Sequence, residues 1–231
     1  MAVAWPGHHN LMKRFEIITE SDARVLSRGE TVALARGGHV TPLAHDTLKE
    51  RRVVVVREDG ASADEVSLAP RADIRSVAVG SDHTGVALRR ELVTFLRGLG
   101  LAVQDLGIDG PDPVDYPDVA ASVGDAVARG EADAGIVIDG AGIGSAIAAN
   151  KIPGIQAVMA TTETIARYSR EHNGANVLAL GATLVSADEA RTIVSTWLST
   201  AMREPRYIRR LAKIRELERR HGSDGRFSRE P

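Results

Sequence analysis

Apolar and polar positions change their rhythm near residue 75. From Ser76 onward, short apolar runs alternate with longer segments of helical spacing, a pattern that predicts strand, helix and strand in repeated order. Val77 to Gly80 is the first strand of the series and Val86 to Leu99 an amphipathic helix. Leu101 to Leu106 is the second strand, and Tyr116 to Arg129 is a helix opened by Pro113 and Pro117. Ala134 to Ile138, rich in β-branched residues, is a buried third strand; a glycine turn and a helix over Ser145 to Ala149 follow. Ile155 to Ala160 and Val177 to Leu180 are the fourth and fifth strands, with helices over Thr162 to His172 and Ala187 to Thr200. Such alternation predicts an α/β fold: a five-stranded parallel sheet with helices on both faces, a three-layer sandwich. Ile208, Leu211, Ile214 and Leu217 mark a last helix, Arg206 to Arg220, with a basic opposite face.

Before residue 75 the pattern is thinner. Met1 to Met12 has no periodicity and reads as a loose arm; its His8-His9 pair lacks a third metal ligand. Thr31 to Leu34 is a short strand bounded by Gly29 and Gly37-Gly38. Thr41 and Pro42 open a helix that runs to about Arg51, and Val53 to Val56 is a buried strand. Residues 1–59 therefore form a small N-terminal αβ module, too thin in core to stand without the main domain or a partner. Residues 60–74 read as an exposed linker, 75–221 as the second domain and 222–231 as a disordered tail.

Composition narrows the function. The chain has 231 residues, of which 43% are hydrophobic and 26% charged, as in an ordinary globular protein. A net charge of -2 argues against nucleic acid as the partner. There is no cysteine, so no thiolate metal site, disulfide or cysteine nucleophile exists. No apolar run spans a bilayer and no signal core opens the chain, so a cytoplasmic home is the default.

The most informative stretch is GIVIDGAGIGSAIAAN, Gly135 to Asn150. A strand, a turn with Gly140, Gly142 and Gly144, and a helix start make a generic anion site. Asp139 at its mouth reads either as a cap of the turn or as an acid/base group. Other connections add Asp82-His83, Tyr116, His172-Asn173, and Arg206 with Arg210, four apart on one helix face. A dinucleotide site fits poorly: the glycines are spaced G-x-G-x-G, and the turn follows the third strand, not the first as in a Rossmann unit.

VAVGSDHTG, DYP, GIVIDGAGIGSAIAANKIPGIQA, SREHNGANVLALG and PRYIRR resemble type B ribose-5-phosphate isomerase and the galactose-6-phosphate isomerase subunits, over about Arg75 to Arg220. The resemblance implies a Rossmann-like sandwich that interconverts aldose and ketose phosphosugars through an enediolate, without metal or cofactor. It also implies a homodimer or homotetramer with shared active sites. By this resemblance Asp82 holds sugar oxygens, while His83, Arg206 and Arg210 hold phosphate. Tyr116 and Asn173 bind hydroxyls, His172 opens the ring, and the amides of Gly140 to Gly144 stabilise the enediolate. Asp139 stands where many members have a cysteine base, Ser145 where others have a glutamate, and Ala141 and Thr183 replace a hydroxyl residue and an arginine. These departures leave two readings: an isomerase with Asp139 as base, or a silent relative that binds a sugar phosphate or only assembles. Burial would raise the Asp139 pKa and the amides would lower it.

ITESDARVL and HVTPLAHDTLKERRVVV resemble the N-terminal segment of the cobalamin adenosyltransferase of ethanolamine utilisation and of other microcompartment-linked enzymes. That implies an assembly or targeting module, with microcompartment components as partners.

Overall fold

The computed structural model describes residues 12–58, 68–70, 72–109 and 113–222. The expected arm before Met12 lies outside these residues, as does the tail beyond Gly222. No helix among the described residues is long and apolar enough to cross a membrane.

The large sheet holds five parallel strands: β4 (Ser76–Ser81), β5 (Ala102–Asp105), β6 (Ala134–Asp139), β7 (Ala157–Met159) and β8 (Val177–Gly181), in spatial order β5-β4-β6-β8-β7. Its helices are α3 (Val86–Gly98), α4 (Tyr116–Ala128), α5 (Ile143–Ala149), α6 (Glu163–Asn173), α7 (Ala187–Ser199) and α8 (Pro205–Gly222). The strand pleat sorts the core. Ile136 and Ile138 of β6 join Leu178 and Leu180 of β8 on one face, against Leu92 and Leu96 of α3 and Ile193 and Trp197 of α7. Val137, Val177 and Ala179 point the other way, to Val119 and Ala120 of α4 and Ala146 and Ala149 of α5. Strands buried on both faces read as continuous apolar runs, which is why the alternation was legible. The chain moves from β4 to β5 on one side and then to β6 on the other. The carboxyl ends of β4 and β6 therefore mark the point where the strand order reverses, the usual ligand position in such sheets.

A second sheet has three parallel strands in the order β1-β2-β3: β1 (Arg14–Ile18), β2 (Thr31–Val40) and β3 (Val54–Arg57). Helices α1 (Glu20–Val25) and α2 (Pro42–Glu50) cover one face through Ala23, Ala44 and Leu48. Thr19 and Asp22 form a capping box at the start of α1. Thr41 sits at the N-cap of α2 as expected, yet its side chain makes no capping bond. The other face of β3, Val54 and Val56, packs on Met202, Ile208 and Leu211 of the large unit.

Two elements are added here and two expectations corrected. β1 and α1 were not foreseen, because RFEII is exposed at three of five positions and shows no clean alternation. β2 does not stop at Leu34: Gly37, at φ +75°, takes up an excursion, and pairing with β1 resumes at His39 and Val40. The described end of the expected linker is packed rather than exposed. Leu68, Ala69 and Ala72 join the cluster around Ile208, and Ile74 is buried in the main core.

Candidate active site

At the carboxyl edge of the large sheet, Asp82 follows β4 and is buried. Its Oδ1 accepts from the Thr84 amide at 2.9 Å, the Thr84 hydroxyl at 2.6 Å and the Gly85 amide at 3.2 Å, which fixes the turn into α3. His83 is exposed, and its Nδ1 accepts from the Val114 amide at 3.4 Å. Tyr116 opens α4, and its ring lies against the glycine turn: a Cβ on Gly144 would sit 2.6 Å from ring carbons. Only glycine admits the ring there.

Asp139 ends β6 and is 5% exposed. Its Oδ1 accepts the amides of Ala141, at 2.8 Å, and of Gly142; its Oδ2 accepts the Ser145 amide at 2.8 Å. Gly142 has φ +75°, and a Cβ there would meet the Leu180 carbonyl carbon at 2.8 Å, so the turn requires glycine for both conformation and space. The Gly142 amide, expected to face a ligand, is thus turned on the chain's own carboxylate. Burial pushes the Asp139 pKa up, but hydrogen bonding by Ser145, Gly142 and Ala141 outweighs it, and the net direction is down. The Ser145 hydroxyl is buried and meets no partner in hydrogen-bonding geometry, so the three amides carry that effect. Thr183 anchors the turn from β8: its hydroxyl donates to the Gly140 carbonyl at 2.6 Å and its amide to the same oxygen at 3.0 Å.

The remaining candidates gather elsewhere. His172, in the last turn of α6, lies between Tyr168 and Tyr207, with ring centroids 4.5 Å and 4.3 Å away. The guanidinium carbons of Arg206 and Arg210 stand 4.7 Å and 5.7 Å from the Tyr207 ring centroid. Asn173 follows, and Gly174, at φ +68°, turns the chain toward β8. Buried Arg170 pins this turn by donating to the Ala175 carbonyl at 2.7 Å and covering Trp197; burial pushes its guanidinium down to about 10. Strand register separates the two groups. Gly135 pairs with Val177 and Asp139 with Gly181, so four residues, about 13 Å of strand, lie between the start of β8 and the turn. His172 and Asn173 precede that start. Within one chain, Asp82, His83, Tyr116 and the glycine turn occupy one edge of the sheet; His172, Asn173, Arg206 and Arg210 occupy the opposite one.

Sequence reasoning missed Thr84, Tyr168 and Tyr207. A signal existed for two of them: the chain has only three tyrosines, and all three stand among the candidate residues. Among the described residues no cluster of carboxylates and histidines could hold a metal ion.

The sequence profile described as Ribose/Galactose Isomerase matches residues 77–214. "Ribose-5-phosphate isomerase B" of Escherichia coli is 41% identical over 147 residues, 64% of this chain and 99% of that protein. "D-erythrulose-4-phosphate isomerase" of Pectobacterium atrosepticum is 37% identical over 125 residues, covering 53% of this chain and 82% of that one. The solved ribose-5-phosphate isomerase B of Clostridium thermocellum superposes with a TM-score of 0.62 at 48% identity, over 63% of this chain and 98% of that one.

Proposed function

The chain belongs to the ribose/galactose isomerase family, and on that premise we propose that it interconverts an aldose and a ketose phosphate through an enediolate, in sites completed by a second copy of the chain. The observation that carries this reading is the division of the candidate residues between opposite sheet edges. One copy supplies Asp82, His83, Tyr116 and the glycine turn; its partner supplies His172, Asn173, Arg206 and Arg210. Ile143, Ile147 and Leu184, each at least half exposed around the turn, give such a partner apolar surface to bury.

In the reaction a base removes the proton from C2 of the open-chain aldose, and the electrons move onto the aldehyde oxygen. The hydroxyl proton on O2 passes to O1, and as the C2=O2 carbonyl forms, the proton held by the base, or one from solvent, returns to C1. We assign the base to Asp139, the acid/base side chain at the turn. Its low pKa makes it a weak base, and to reach substrate one carboxylate oxygen must leave its amides. Arg206 and Arg210 suit a phosphate by charge and by their fork of donors.

One observation favours the second reading, a relative that binds sugar phosphate without turnover: Asp139 already fills the amide nest an enediolate would use. An isomerisation assay over four-, five- and six-carbon aldose phosphates separates the two. The wild type is expected to turn over at least one of them, and Asp139→Asn to lower that rate by about two orders of magnitude or more. Asp139→Cys, which restores a thiolate base, is expected to retain activity. A wild type that binds these phosphates without turnover leaves the silent reading standing. An Asp139→Asn variant that exchanges the C2 hydrogen at the wild-type rate removes Asp139 from the mechanism.

A further inference from the structure

A cavity of about 1230 Å³ lies in the seam between the small sheet and the large unit. None of the candidate active-site residues lines it. Its lining is mixed, with an apolar part formed by Val53 and Val55 from one unit and Leu101 and Leu198 from the other, and Ser195 and Ser199 beside them. Around these stand four cations, Lys49, Arg52, Arg57 and Arg203. Against them are two carboxylates, Asp73 and Glu204, and Asp73 is already paired with Arg75 at 2.8 Å. Arg57 donates to the Gly38 carbonyl at 2.9 Å; among the described residues no ion pair engages Lys49, Arg52 or Arg203.

Arg52 adds an independent observation. Its φ is 55°, and it is the one non-glycine among the described residues in the left-handed region; seven glycines hold the other such positions. It follows the end of α2, where the Val53 amide bonds back to the Leu48 carbonyl at 2.8 Å and glycine is the relaxed choice. A side chain kept at backbone cost on the rim of a cavity points to a role for that side chain.

We propose that this seam binds an amphipathic organic anion, with an aliphatic body against the apolar walls and an anionic head among Lys49, Arg52 and Arg203. An apolar stretch of wall beneath cations that outnumber the carboxylates matches that division of the ligand. No phenylalanine, tyrosine or tryptophan lines the cavity among the described residues; His45 supplies its one aromatic ring, a small platform beside the aliphatic walls.

Decyl phosphate, titrated calorimetrically into the full chain below its aggregation threshold, tests the site. It is expected to bind, with decan-1-ol and inorganic phosphate each at least about tenfold weaker, and Arg203→Gln is expected to weaken it about tenfold. Arg52→Gly is expected to weaken it similarly while raising Tm by a few degrees, because glycine relaxes the backbone; lost binding then cannot be lost folding. Arg206→Ala is expected to leave the affinity unchanged. The proposal is overturned if decyl phosphate does not bind. It is also overturned if, in the Arg206→Ala protein, inorganic phosphate binds as tightly as decyl phosphate, if Arg52→Gly and Arg203→Gln keep wild-type affinity, or if Arg206→Ala alone abolishes decyl phosphate binding.

Discussion

The two edges of the large sheet hold their polar groups by opposite means. At the carboxyl edge, Asp82 and Asp139 are 6% and 5% exposed and are locked by backbone amides. At the amino edge, the His172 side chain is 30% exposed and is held by ring faces, with two arginines stacked outside. The first edge is preorganised by its own chain: the turn cannot shift without orphaning amides. The second is a surface: its rings and guanidinium groups are ordered by stacking but stay open to another molecule. The difference is what the proposed sharing of a site between two copies of the chain would use. Under that proposal the arginine edge of one copy supplies the phosphate-holding groups to the carboxyl edge of the other, whose amides are already taken by Asp139.

The strongest way to break this comparison is to disable the edges in separate chains. Asp139→Asn and Arg206→Ala are each expected to lower activity by about two orders of magnitude. In a mixture allowed to exchange subunits, half of the dimers carry one of each variant. One site in such a dimer has both defects and the other has none, so activity is expected to recover to about a quarter of wild type. Exchange verified by mass spectrometry without recovery would place both edges' residues in separate roles within one chain.

A weaker perturbation acts on one edge only. Removing residues 1–70 takes away Val54, Val56, Leu68 and Ala69, which cover Met202, Ile208 and Leu211. Exposing buried side chains of this size costs about 1.5–3 kcal/mol each, charged here mainly to α8. The five-stranded sheet is expected to keep cooperative unfolding, while amides of α8 exchange faster and the apparent affinity for sugar phosphate falls with the loosened arginines. Unchanged α8 exchange would separate the small unit from the arginine edge. The truncation also bears on the assembly role proposed for the N-terminal module from its resemblance: the same oligomeric state and partners with and without it would remove that role.

How much of this was legible depended on whether the signal was local. Strands buried on both faces announce themselves as apolar runs, so β4, β6 and β8 were placed to within a residue or two at each end. β1 is an edge strand with a single buried residue, Ile18, and carried no such signal. Asp139 stands out in the sequence as the carboxylate at the turn, but its state does not: whether a carboxylate faces ligand or curls onto the amides two, three and six residues ahead depends on turn geometry, which GAGIGS permits either way. Tyr168 sits one helical turn from His172, whereas Tyr207 reaches it from α8, a contact no spacing rule contains.

The smallest expected effect is on stability against pH, and it measures how firmly the carboxyl edge is locked. The Asp139 pKa is lowered in the folded chain, so its ionised form is favoured by folding. Its contribution is fully present above the unfolded carboxylate pKa, about 3.9, and is lost as pH falls through the lower folded value. Asp139→Asn removes that dependence. It also presents an NH2 group where Oδ2 accepts from Ser145, so one buried amide loses its acceptor at a cost of about 1–3 kcal/mol. The variant is therefore expected to melt below wild type near neutral pH. The gap is expected to begin narrowing below about pH 4, where the unfolded carboxylate takes up its proton, and to go on narrowing as pH falls toward the lower folded value, where the folded carboxyl becomes a donor in turn. Glu20, Asp22, Asp109, Glu131, Glu189 and Glu216, also lowered, give both proteins the same background acid limb, which cancels in the difference. Thermal melts of the two proteins from about pH 7 to pH 3 read this directly. A gap that stays constant over that range would mean the carboxylate is not held by the amides in solution, and the contrast between a locked edge and an open one would fall with it.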